Sequence, residues 1–348
     1  MIADANNQAA RATAMPLAQR VFQRLSDAAF RSGEELAAEL DVTRAAVWKA
    51  VEQLRDLGVP LEAQPNRGYR LAQGYAPLDR DEIVAALAPD SQASVHTLEV
   101  VWSLPSTNDY LLALPPPPPG QLQVVLTELQ TAGRGRRGRA WVAPPGGAIC
   151  LSMGWAFAEL PQDISALALV IGICAQRSLA RCDIGGVRLK WPNDLVTHQG
   201  KLGGILLELR AEASGPAYVV IGIGLNAALS GKDLAAIAAN GGNAVDLRSL
   251  RGSAEVVTRN RIVSVLLEEC AQGLAEYESV GLAAFLVRWQ QLDAIRGTEV
   301  SVTRGDEVFR GVARGIDSHG QLLLEVPGGV QAFASGEVSV RAAPGGVD

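Results

Sequence analysis

Gly133-Arg134-Gly135-Arg136-Arg137-Gly138-Arg139 is the stretch on which the fold turns. It has the spacing G-x-G-x-x-G and follows a predicted strand, Leu122–Glu128. A dinucleotide-binding βαβ unit would need a helix after the last glycine, with its N-terminus on the pyrophosphate. The chain instead runs Ala140-Trp141-Val142-Ala143-Pro144-Pro145, which cannot open a helix. The Rossmann reading fails on that context. What remains is a loop of four guanidiniums and three glycines. Glycine lets backbone approach a ligand closely and costs ordering entropy when it does. Arginine supplies forked donors for phosphate or carboxylate oxygens. Two readings stand: a mobile anion-binding loop that orders on a phosphorylated ligand, or a solvated basic turn or nucleic-acid patch.

Outward from the loop, strand-like and helix-like runs alternate. Strands are predicted at Leu98–Ser103, Leu122–Glu128, Ile149–Trp155, Arg188–Trp191, Gly204–Arg210 and Ala217–Gly222. Helices are predicted at Asp79–Leu87, Ile164–Arg181 and Arg259–Tyr277. That mixture is α+β. Lys190-Trp191-Pro192-Asn193-Asp194 ends one strand. A lysine beside a proline-fixed turn is held, and its compact charge suits negative charge developing on a phosphate; an ordinary surface lysine before a turn is the other reading. Gly222-Ile223-Gly224-Leu225-Asn226 closes another strand, either against a ligand or as a plain strand-end turn. Ser106-Thr107-Asn108 begins a helix, as caps or as hydrogen-bonding groups for a polar ligand head.

Both ends of the chain read differently. Leu17, Val21 and Leu25 repeat at helical spacing, Ser32 and Glu35 form a capping box, and Thr43 caps a third helix carrying Val47, Val51 and Leu54. A hairpin follows, turning at Pro65-Asn66-Arg67-Gly68. Three short helices and a hairpin make a winged helix-turn-helix, with a linker near Gln73–Pro77. From about Thr298, short alternating runs between glycine turns predict a small β-barrel. Pro115–Pro119 reads as a stiff spacer loop.

The chain has 348 residues, 48% hydrophobic, with a net charge of −6. That excludes a disulfide mini-protein and wholesale disorder. It also gives no overall pull toward nucleic acid or anionic membrane. Cys150, Cys174, Cys182 and Cys270 form no C-x-x-C pair, and with three histidines they make a zinc site or a disulfide framework an unfavoured reading. The usage fits a reducing cytoplasm. The N-terminus lacks a secretory signal pattern, and the longest apolar stretch, near Ile164–Ala175, is short for a bilayer and reads as a buried helix.

Ser106-Thr107-Asn108, Gln130 through Arg139, Trp141, Lys190–Asp194, Lys201–Glu208 and Gly222–Asn226, in this order and spacing, closely resemble the biotin protein ligases of the bifunctional ligase and biotin-operon repressor type. The resemblance extends to the N-terminal helices and to Ser335-Gly336-Glu337-Val338-Ser339-Val340-Arg341. It implies a winged helix-turn-helix DNA-binding domain over 16–73, a mixed-sheet α/β catalytic domain of biotin/lipoate ligase type over 79–296, and a small SH3-like β-barrel over 297–342. It implies that biotin and ATP with Mg²⁺ give biotinyl-5′-adenylate and pyrophosphate. Biotin then passes to a lysine of the biotin carboxyl carrier protein of acetyl-CoA carboxylase. By resemblance, Lys190 and Arg136 are catalytic, and Ser106, Thr107, Asn108, Gln130, Arg134, Gly135 and Gly222 join them in holding biotin. Arg136, Arg139, Trp141, Asn193, Asn226 and Arg341 are the nucleotide candidates, with Asp194 near magnesium. Thr43, Arg44, Trp48, Lys49, Arg67 and Arg70 would face operator DNA, read by a homodimer with the adenylate as corepressor. Residues 1–75 carry nine basic and nine acidic side chains, so this domain lacks the basic footprint of a DNA binder. A lipoate or octanoate transferase and a non-catalytic ligand sensor are the competing classes. Pro105, where many members carry an acidic residue, and the Pro115–Pro119 run depart from the family pattern.

Overall fold

Two helix caps set the N-terminal unit of the computed structural model, which describes residues 15–72, 76–141, 143–211, 217–239, 242–250, 257–334 and 338–342. Ser32 Oγ accepts from Glu35 N (3.1 Å) and Glu35 Oε2 accepts from Ser32 N (2.7 Å), closing the predicted capping box. It starts α2 (Gly33–Leu40), between α1 (Leu17–Arg24) and α3 (Arg44–Asp56). Thr43 Oγ1 caps α3 through Ala46 N. Val21, Phe22, Leu36, Val47, Val51 and Leu54 are fully buried between these helices. The hairpin β1 (Leu61–Gln64) and β2 (Gly68–Leu71) forms the wing. Gly68 sits at φ +95, where a Cβ would overlap the Arg31 carbonyl, so the wing can pair with Arg31 only with glycine there.

The chain then enters α4 (Arg80–Ala85), α5 (Pro89–Ala93), β3 (Val95–Leu104), α6 (Thr107–Leu112), β4 (Leu122–Gln130) and β5 (Ala148–Phe157). Next come α7 (Leu167–Arg181), β6 (Arg188–Lys190), β7 (Asp194–Thr197), β8 (Gly200–Ala211), β9 (Ala217–Asn226), α8 (Gly231–Ala239), α9 (Arg259–Val280) and α10 (Leu286–Leu292). The seven strands order as β3-β4-β5-β9-β8-β7-β6, with only β3 and β4 parallel. Val219, Ile221, Ile223 and Leu225 point into the core packed with α7 and α9. The alternate residues of β9 face α6, where Leu111, Val125, Tyr218 and Val220 form a second cluster. The segment entering α4 is clasped from below: Glu128 Oε1 accepts from Leu78 N (2.7 Å) and from Arg259 Nη2 (2.8 Å), and Asn260 Nδ2 donates to the Pro77 carbonyl (3.0 Å). On β3, the Trp102 ring meets Phe22 of α1 edge-on at 5.4 Å, seating the winged helix on the sheet's edge strand.

Last come β10 (Glu299–Arg304), β11 (Glu307–Ile316), β12 (Leu322–Val326), β13 (Gly329–Phe333) and β14 (Val338–Ala342). They form an antiparallel sheet ordered β13-β12-β11-β10-β14. Among the described residues β13 and β14 do not pair, so the sheet is open where the sequence predicts a barrel. Other readings also change. The helix predicted over Asp79–Leu87 ends at Ala85, and the strand predicted to stop at Gly222 runs on to Asn226. Ile164–Ala166 is a 3₁₀ turn before α7. The 18-residue apolar segment Ile164–Arg181 has the length and composition to cross a membrane, yet two thirds of it is buried in this core. Gln73, Val142 and Ser335–Glu337 lie outside the described residues, as does the Arg341 side chain.

Candidate active site

Strand register assembles the site. Thr127, Cys150, Gly224, Gly204, Asp194 and Lys190 stand abreast on β4, β5, β9, β8, β7 and β6. Ser152, Gly222 and Leu206 form the neighbouring row. Gly222 and Gly224 are two apart on β9, so both clear the same face. Two side chains fill the space they leave. A Cβ on Gly222 would lie 2.5 Å from Asn108 Oδ1, and one on Gly224 would lie 2.7 Å from the Trp141 ring. The sequence reading gives Gly222 a direct approach to ligand; in the fold its immediate neighbour is Asn108.

The segment Ser106-Thr107-Asn108 forms a buried polar floor. Ser106 Oγ caps α6 through Asp109 N (3.3 Å). Gln130 Oε1 accepts from Thr107 N (2.9 Å) and Thr107 Oγ1 (3.2 Å). Ser152 Oγ lies 2.7 Å from Thr107 Oγ1 and 2.5 Å from Asn108 Oδ1, and its single proton can serve one of them at a time. Asn108 Nδ2 donates to Glu208 Oε2 (2.7 Å), and Arg134 donates to Glu208 Oε1 (3.2 Å) and to Asp109. Thus the first arginine of the loop is tied to the floor through two carboxylates. Ser152, Glu208 and Asp109 escape the sequence reading. Ser152 has a visible signal, a polar residue in the otherwise apolar run Ala148–Phe157. The other two depend on non-local pairing.

The arginine loop folds back on itself. Gly135 N donates to the Arg139 carbonyl (2.7 Å) and Trp141 N to the Gly133 carbonyl (2.9 Å). Arg137 turns the chain at φ +58. Arg136 is half-buried, and its Nη1 donates to Asn193 Oδ1 at 3.3 Å. Burial pushes its guanidinium below the usual range, with Asp194 pulling the other way. Arg134 and Arg139 are exposed. Trp141 packs on Ala143, Ala148 and Cys150. Burial pushes the Cys150 thiol up to about 11, which keeps it neutral under the ring.

Across the floor, Lys190 ends β6, half-buried. Asn193 Nδ2 donates to the Ile205 carbonyl (2.6 Å), which fixes the turn after Lys190. Asp194 Oδ1 accepts from Lys201 Nζ (2.6 Å). Asn226 is buried and spends its amide N–H groups on the Lys201 and Val245 carbonyls, so it acts as a clasp between strands. Arg341 places its backbone opposite Ser301 in the terminal sheet. The structure therefore brings together Thr107, Asn108, Gln130, Arg134, Arg136, Trp141, Lys190 and Asn193 on one face.

Comparison with known proteins bears on this face and on both flanking units. A profile of the Biotin/lipoate A/B protein ligase family matches residues 100–226. An HTH domain profile matches residues 18–70, and the Biotin protein ligase C terminal domain matches residues 297–341. The Bifunctional ligase/repressor BirA of Escherichia coli is 36% identical over 322 residues, covering 92% of this chain and 95% of the relative. The chain belongs to the biotin protein ligase family. The Biotin--[acetyl-CoA-carboxylase] ligase of Mycobacterium tuberculosis is 35% identical over 273 residues, covering 75% of this chain and 95% of the relative. The fold agrees with a biotin protein ligase from Aquifex aeolicus solved in complex with biotin and ATP: TM-score 0.59 at 23% identity, over 71% of this chain and 99% of that one.

The HTH domain match spans α1 to β2, and α3 is the helix that helix-turn-helix geometry would present to DNA. Trp48 is 54% exposed on it. Arg44 and Lys49 are also exposed, with Arg44 3.4 Å from Glu34. On the wing, Arg67 and Arg70 lie over the Phe30 ring at 4.2 and 4.6 Å, and Arg70 pairs with Glu62 at 2.6 Å. Magnesium is a poorer fit to this chain's own side chains. No group of three potential metal ligands occurs among the described residues, and Asp194 is already paired with Lys201.

Proposed function

We propose that the chain joins biotin to ATP as biotinyl-5′-adenylate with release of pyrophosphate, then passes biotin to a lysine of a biotin carboxyl carrier protein. One observation carries this reading: the half-buried Arg136 donates to Asn193 in the turn that follows Lys190, beside a polar floor sized by two glycines. Such a floor suits a small neutral head group held by Thr107, Asn108, Gln130 and, at the helix start, Ser106. Biotin's carboxylate and the α-phosphate are both anionic, and bringing them together costs Coulomb energy. The Lys190 ammonium between them lowers that cost and stabilises charge building on the phosphorus. The carboxylate oxygen forms a bond to the α-phosphorus, and the bond to the pyrophosphate oxygen breaks.

The loop of Arg134, Gly135, Arg136 and Arg139 closes over the mixed anhydride and excludes water that would hydrolyse it. Trp141 flanks the adenine side. In the second step the carrier lysine's neutral amine attacks the acyl carbon, AMP leaves, and the amine proton is lost. Magnesium would arrive on the nucleotide's phosphates and needs no protein cage here. Arg341 and Asn193 are the further nucleotide-side contacts.

The second role is operator binding, with Thr43, Arg44, Trp48, Lys49, Arg67 and Arg70 facing DNA and the adenylate as corepressor of a homodimer. The domain limits 16–73, 79–296 and 297–342 accompany this reading, with the last as an SH3-like unit. A cytoplasmic protein is consistent with four buried, unpaired cysteines. The test is exchange of labelled pyrophosphate into ATP. Exchange dependent on biotin supports the reading. Exchange with lipoate alone, or tight biotin binding without exchange, overturns it.

A further inference from the structure

Lys190 belongs to a strand of three residues at the edge of the seven-stranded sheet, and β7 is its single neighbour there. So short an edge element holds a side chain weakly by itself. Three of the residues flanking the lysine are nevertheless anchored elsewhere. The Leu189 carbonyl accepts from Ala294 N (2.8 Å), and Arg188 Nη2 donates to the Asp293 carbonyl (2.6 Å). On the other side, the Trp191 indole, 1% exposed, donates from Nε1 to the Gly320 carbonyl (3.0 Å).

Those partners lead into the C-terminal sheet. Asp293 and Ala294 lie on the connection to β10, where Gly297 N donates to the Ala313 carbonyl of β11 (2.7 Å) and the Thr298 carbonyl accepts from Ala313 N (3.0 Å). Gly320 sits in the turn between β11 and β12 at φ +76. A Cβ there would lie 2.8 Å from Ala166 Cβ and 3.0 Å from Leu169, so the turn is seated tightly against α7 and the 3₁₀ turn before it. His319 Nδ1 lies 3.0 Å from Asp163 Oδ1 beside it.

We infer that the C-terminal sheet is a positioning element for the Lys190 ammonium, acting through Trp191 on one side and Leu189 on the other. The inference rests on the role proposed above for Lys190. The sheet then contributes to adenylate formation from beneath the site, through a side chain that touches neither biotin nor nucleotide. Displacing an ammonium by about 1 Å can cost up to about a hundredfold in rate.

The test uses the full chain and single-turnover adenylate formation, in wild type and in Lys190→Ala. Trp191→Phe keeps a large ring and removes the N–H; Gly320→Ala lifts the turn from the opposite side. With Lys190 present, each change is expected to slow adenylate formation about tenfold, with biotin affinity within about twofold of wild type. With Lys190 absent, neither should slow the residual reaction further, because a positioning residue has nothing left to position. A wild-type rate in Trp191→Phe, or the same fractional loss with and without Lys190, overturns the inference. If Trp191→Phe fails to fold, Gly320→Ala carries the same comparison. Absent activity in wild type itself would count against the proposed function, and loss confined to the variants bears on the positioning role of the C-terminal sheet alone.

Discussion

Gly222 shows how much of this site is a matter of one missing methyl group. Asn108 reaches across three strands, to Ser152, over Gly222 and to the Leu206 carbonyl, because nothing stands on β9 at that point. Gly222→Ala should push the Asn108 amide away and weaken biotin binding about tenfold, the cost of about one hydrogen bond. Calorimetric titration reads it, and unchanged affinity would show that Asn108 does not hold biotin. Lys190→Ala should lower adenylate formation at least about a hundredfold, with near-normal single-turnover rates removing its assigned role. Lys190 and Arg136 were legible in the sequence as residue types suited to anions, and Gln130 only through the family resemblance. Their partners were not. Glu208 reads as one acidic residue in a strand until Asn108 and Arg134 meet on it.

At the scale of elements, the caps were readable because they are local: a capping box spans four residues. The end of β9 was not, because the glycines of G-I-G-L-N read as a strand end, while pairing with β5 and β8 carries the strand on to Asn226. β7 was hidden because Asp194–Thr197 is too short and too polar to carry a pattern, and its identity comes from pairing with β6 and β8. The open terminal sheet was unreadable for a similar reason, since closure depends on contacts between its first and last strands. Helix α3 is defined by its Thr43 cap and its buried Val47 and Val51, which leave Arg44, Trp48 and Lys49 outward. Replacing Arg44 and Lys49 together by alanine should weaken binding to operator DNA by at least about tenfold and flatten its salt dependence. Adenylate formation should be unchanged. A mobility-shift titration over several salt concentrations checks the first expectation, and parallel loss of ligation would contradict the separation of the two roles.

The whole molecule is joined by apolar packing, with Val300, Val302, Leu322, Leu324 and Phe333 of the terminal sheet in the same buried cluster as residues of α7 and α9, and by a few buried polar contacts. Glu128, Arg259 and Asn260 hold the entry to the central unit, and Trp102 and Phe22 seat the winged helix. Asp293 stands at the passage to the terminal sheet, and burial raises its carboxyl above the usual range. A carboxylic acid with a raised folded pKa holds its proton more tightly folded than unfolded. Its contribution to stability is therefore fully present at acid pH and is lost as pH rises from the ordinary value of 3.8 through the folded one. Asp293→Asn keeps an oxygen that can accept from the Ile295 N–H and removes the ionisation. Denaturant titrations should find this variant more stable than wild type near neutral pH, with the gain shrinking toward about pH 4; a gain confined to acid pH would contradict the burial account. In the proposed reaction one amine and one cationic loop bring a vitamin carboxylate and a nucleotide phosphate together on the glycine-cleared floor. A crystal structure of the chain with biotin and a non-cleavable ATP analogue tests it most directly. The expected result is Lys190 Nζ within hydrogen-bond distance of both the carboxylate and the α-phosphate, with Arg134–Arg139 closed above them. A loop turned away and a Lys190 ammonium directed into solvent would contradict it.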